Sequence, residues 1–144
     1  MSKKEAAEAI KKEVAEEAEA KKAEETPKSI QEMLKDLDGA PGKEQIETWK
    51  AEFGEVFVSG FSEEELFVWR PILRGEFVKL QAHLADQQLS AFDEQELTCD
   101  VCLLWPIVDW EKAKAGTAST LSEQIMHNSN FLAPQVAAQL VAKL

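Results

Sequence analysis

Two cysteines three residues apart, in Cys99-Asp-Val-Cys102, have the clearest chemical potential in this chain. A thiol pair at this spacing can hold zinc or cycle as a disulfide. A structural zinc site needs four ligands, usually two such pairs or one pair with spaced histidines. Here the other candidates are His83 and His127, which lie outside any zinc-finger spacing. A redox pair works best where it opens a helix, because the helix dipole lowers the thiol pKa. Cys99 and Cys102 instead fall inside an apolar helical stripe with Leu97, Val101, Leu103 and Leu104. Buried packing is the favoured role, since free cysteine is among the most buried residue types. A zinc-binding adaptor using these two thiols is the alternative.

Other reactive types are sparse. Arg70 and Arg74 bracket Pro71 and could grip a carboxylate or phosphate. Pairing of Arg70 with Glu76 or with the Glu63–Glu65 run is the favoured role. That run lacks the alternating oxygens and the glycine of a calcium loop. His127 with Ser122 or Ser129 makes no recognisable nucleophile pair. No nucleophile elbow, P-loop or dinucleotide fingerprint is present in the sequence. The expectation is a non-enzymatic binding protein with no cofactor.

The elements carrying these residues are mostly helical. Residues 3–25 are almost entirely Ala, Glu and Lys, all strong helix formers. With Ile10 and Val14 as their only large aliphatics, they predict a solvated helical or disordered arm over 1–25. Thr26-Pro27 signals a helix start, and Ser29-x-x-Glu32 is a capping-box candidate. Ile30, Met33, Leu34 and Leu37 then follow at the spacing of one helix face. This short amphipathic helix and the GAPG linker occupy 26–42. Helix-in-groove docking on a partner and packing on its own domain are equally compatible with the pattern.

A globular domain is expected over 43–144. It begins with a helix from Lys43 to Phe53, stopped by Gly54. Two strand-like runs, Glu55–Ser59 and Leu66–Arg70, flank SGFSEE and read as a hairpin. A helix from about Arg74 to Asp86 follows. Asp93-x-x-Glu96 is read as the start of a helix reaching Leu104, stopped before Pro106. After a connector, Thr120-x-x-Glu123 opens one more helix and Pro134 the last. The fold class is therefore α+β and mostly helical: a two-stranded hairpin packed by about five helices, preceded by a helical arm.

Charge and apolar distribution narrow the partners. The net charge of −11 opposes nucleic-acid binding, which draws affinity from Lys and Arg against phosphates. No apolar run long enough for a membrane span is present in the sequence. Two cysteines offer no disulfide framework, and a reducing, intracellular setting is expected. Seven of the eleven aromatics lie between Trp49 and Phe77. Most are expected in the core, with Phe57, Phe67 and Trp69 distributed over different hairpin faces. Phe61, in the turn amid Ser and Glu, is the one most suited to touching a partner.

Residues 46 to 131 resemble small proteins encoded among the tail genes of tailed bacteriophages. The resemblance rests on WKAEFGEVF, FVWRPILRGEF, CLLWP, AGTASTLSEQI and the following SNF. It does not reach residues 1–40. It implies a tail-assembly chaperone or a minor tail or baseplate component, located in the virion or the host cytoplasm. The implied partners are other phage structural proteins of the tail tube, tape measure, baseplate or neck; a homo-oligomer is also compatible. Ile30, Met33, Leu34, Leu37 and Phe61 are the candidate protein-binding residues.

Overall fold

The run Leu66-Phe67-Val68-Trp69 is apolar without interruption, and the fold is built around it. Such a strand must be covered on both faces. In the structure, a computed structural model, backbone is described for residues 2–24 and 28–144 and side chains for 2–16 and 28–144. The described elements run α1 (Lys3–Glu24), α2 (Ile30–Asp36), α3 (Lys43–Phe53), β1 (Phe57–Gly60), β2 (Leu66–Trp69), α4 (Arg74–Gln87), α5 (Ala91–Cys102), β3 (Leu103–Trp105), α6 (Thr117–His127) and α7 (Pro134–Gln139). The Thr26-Pro27 start signal lies outside the described residues.

The sheet has three antiparallel strands in the order β1-β2-β3, not the expected two. The third strand comes from residues expected to finish a helix. That helix stops at Cys102, and Leu103 turns extended at φ −70°, ψ 125°. Trp105 precedes Pro106, whose ring disfavours helical backbone one residue earlier. The buried strand β2 would otherwise leave polar backbone groups unpaired on its second side. Leu103 and Trp105 pair there with Trp69 and Val68, across a register irregularity.

Alternation along β2 sorts the core into two halves. Phe67 and Trp69 face α4, α5 and α6 with Ile72, Leu80, Cys99, Cys102, Leu121 and Ile125. Leu66 and Val68 face the other side, where Leu34 of α2 is buried and Ile46 and Trp49 of α3 are half-buried. Helices therefore cover both sheet faces. The register places Phe57 directly opposite Trp69, and their rings stack at 4.8 Å. Phe57, Phe67 and Trp69 thus share one face, contrary to the distribution expected from sequence.

Local signals explain several boundaries and correct others. Ser29 caps α2, its hydroxyl accepting from the Glu32 N–H at 3.2 Å. Ser90, rather than Asp93, opens α5: its Oγ accepts from the Asp93 N–H, and the Asp93 carboxylate accepts from the Ser90 N–H at 2.9 Å. Asp93 is the reciprocal member of that capping box, not its start. Helix α6 begins at Thr117, not Thr120, with Thr117 and Ala118 buried. The small side chains Cys99 and Ala118 allow close approach of α5 and α6, and the Cys99 thiol donates to the Ala118 carbonyl at 3.5 Å. Helix α1 carries Ile10 and Val14 about 60% exposed, at 61% and 60%.

Candidate functional site

The cysteines and Arg70 lie in packed surroundings. Cys99 and Cys102 are fully buried between β2, α5 and α6. Burial, helped by the neighbouring Asp100, pushes the Cys99 thiol up to about 12. Burial does the same for Cys102, to about 12, against the opposing effect of Arg70. Burial thus favours the protonated thiol of both residues at neutral pH in the folded chain. Among the described residues, no group of three or more His, Cys, Asp or Glu side chains is gathered as a metal site. His83 and His127 are both exposed.

Arg70 pairs with Glu76, one of the partners expected from sequence. Two bonds of 2.7 Å join its guanidinium to both carboxylate oxygens. The same group donates to the carbonyls of Pro71 and Val101 and lies 4.7 Å from the centre of the Phe53 ring. Arg70 thus ties β2 to α4, α5 and the end of α3. The Arg70 hydrogen bond holds the Glu76 carboxyl below its ordinary value, assisted by the Leu73 N–H. The Arg70 pKa is raised, chiefly by the same hydrogen bond.

The expected protein-binding residues divide by depth. Leu34 is buried against Leu66 and Val68, with Met33 and Leu37 half-buried around it. These three hold α2 on its own domain. Ile30 is 39% exposed, at the start of α2 beside Gly60, where a methyl group would lie 3.7 Å from its side chain. Phe61 is also 39% exposed, and its ring meets Phe67 edge-on at 5.5 Å. Ile30 and Phe61 therefore keep accessible surface, while Leu34 does not.

A groove of about 760 Å³ lies between α2 and α3. Leu34, Ile46, Val56, Val58 and Val68 supply its apolar lining. Helix α3 has no fully buried residue, so its apolar face is only partly covered by the domain. Lys35, Lys43 and Lys50 line the same groove, with Glu47 as the acidic residue among them. The opposite flank of α2 is different: Asp36, Asp38, Glu63 and Glu64 line a cleft there with Lys28. The short α2 thus separates a basic groove from an acidic one.

Lys35, Lys43 and Lys50 were not singled out from the sequence. One signal was present: Lys43 and Lys50 stand seven apart, hence on one side of a helix. Lys35 joins them only through the fold of the GAPG turn, where Gly39 takes φ +79° and the Ala40 N–H reaches the Leu37 carbonyl at 3.2 Å. No protein family, curated protein or solved structure matches this chain in the comparisons with known proteins.

Proposed function

We propose that this chain is a non-enzymatic component of bacteriophage morphogenesis that binds other tail or virion proteins. It acts as a tail-assembly chaperone or as a minor tail or baseplate component, in the host cytoplasm or the virion. The observation that carries the binding role is the α2–α3 groove, an open trough with an apolar lining and lysines on a strongly acidic chain. Open apolar surface rimmed by polar residues is characteristic of protein contact sites. The phage assignment draws on the sequence resemblance. The segments carrying it lie in successive elements: WKAEF ends α3, EVFV enters β1, FVWRP carries the end of β2 and CLLWP spans β3.

Quantitative mass spectrometry of purified particles and of tail-assembly intermediates tests this reading. A virion component is present at fixed stoichiometry in particles. A chaperone is present in intermediates and absent from finished particles. Absence from both overturns the phage assignment.

A further inference from the structure

Strand β1 is an edge of the sheet. One residue beyond it, the Phe61 N–H donates to the Glu65 carbonyl at 2.9 Å. With Phe57 opposite Trp69 and Ser59 opposite Phe67, this bond sets the phase of the ladder. Residues 57, 59 and 61 direct their backbone groups to β2, so the N–H and C=O of Val58 point away from it. Among the described residues, no turn or loop bond takes up these two groups. Val58 also lines the α2–α3 groove. An open strand edge is a template for a further strand.

The charge around that edge selects the occupant. On a chain of net charge −11, three lysines and one glutamate line the groove. Glu47 is already 3.8 Å from Lys50. Lys35 and Lys43 are in no ion pair among the described residues. We propose that the groove receives a short, extended segment of a partner protein, acidic and apolar in composition, as an added strand on β1. Its backbone pairs with Val58, its apolar side chains pack toward Leu34 and Ile46, and its carboxylates meet the three lysines. Main-chain bonds supply affinity in this mode and side chains supply selectivity. The proposal rests on the protein-binding reading above and names the chemistry of the partner.

The probe is a fluorescent peptide of Val-Ser-Glu-Ser repeats, which puts Val and Glu on the same strand face, with a Val-Ser-Lys-Ser peptide as its charge-reversed control. Fluorescence anisotropy is expected to show saturable binding of the acidic peptide, weakened by salt. The combined variant Lys35→Glu, Lys43→Glu, Lys50→Glu is expected to weaken it by about tenfold or more. These lysines are exposed, so the variant's circular dichroism should match the parent. Hydrogen exchange should show new protection of the Val58 amide on binding. Equal binding of both peptides, or binding without Val58 protection, overturns the proposal. So does a dimer in light scattering that the lysine variant abolishes, which would assign the groove to a second copy. If the lysine variant still enters particles or intermediates, the groove proposal fails while the morphogenesis reading stands. If the parent chain enters neither yet binds the acidic peptide at Val58, the groove proposal stands and the phage assignment fails.

Discussion

Arg70 illustrates how one residue changes role between sequence and structure. An arginine beside a proline offers a grip for an anion, but here the anion is the chain's own Glu76. The Arg70 side chain is only 12% exposed, and its Nε is buried without a partner. Glu76→Gln would leave that guanidinium without its charge partner, and should cost about 1–3 kcal/mol in urea unfolding. The pH dependence follows from the direction of the Glu76 shift. A carboxyl held below its ordinary value of 4.5 stabilises the fold above that value, and the contribution is lost as pH falls through the folded pKa. The parent should therefore lose stability more steeply than Glu76→Gln as pH falls below about 4.5, measured by thermal unfolding. The cysteines support a second expectation. With both thiols buried and pushed up to about 12, native protein at pH 8 should react negligibly with a thiol reagent. Both should react once the protein is unfolded in guanidinium. Fast native labelling would show that the α5–α6 core opens readily.

At the scale of elements, caps and strand ends govern the boundaries. The Ser90–Asp93 box supplies both reciprocal bonds at the start of α5. Ser90→Ala removes one of them and should cost about 1 kcal/mol in chemical denaturation. The sequence contained this signal, but Asp93 followed by Glu96 imitates it one turn later. Helix α2 was legible as an amphipathic helix from Ile30, Met33, Leu34 and Leu37. Its destination was not legible, because an apolar stripe is equally suited to a partner or to its own sheet. Burial of Leu34 at 7% exposure shows that it packs on its own domain. Leu34→Ala should destabilise the protein by about 2–5 kcal/mol, as truncations in a packed core do. A change below about 0.5 kcal/mol, the usual range for surface positions, would indicate that α2 is only loosely held.

Across the whole molecule, one buried strand organises two cores and leaves the arm outside them. Ile10 and Val14 of α1 are largely exposed, so removal of residues 2–24 should leave the unfolding midpoint of the remaining domain nearly unchanged. Calorimetry of the shortened chain checks this, and a large fall would reveal stabilising contacts made by the arm. The groove is a property of the same scale. Its lysines come from two helices and its apolar lining from helices and strands, so no single segment announces it.

The sequence by itself determined the helical composition, the hairpin and the core tendency of the Trp49–Phe77 aromatics. Those features follow from local periodicity, turn residues and side-chain type, which act over a few positions. It also identified Glu76 as one of the candidate partners of Arg70, since six residues and a helix start keep the two near each other. Tertiary structure alone decided that Leu103–Trp105 is a strand, because only the unpaired side of β2 creates the demand for it. It also decided that Phe57 stacks on Trp69, because strand register fixes which residues stand opposite each other. Finally, it gathered Lys35, Lys43 and Lys50 around the open edge of β1, a grouping that depends on how α2 and α3 pack over the sheet.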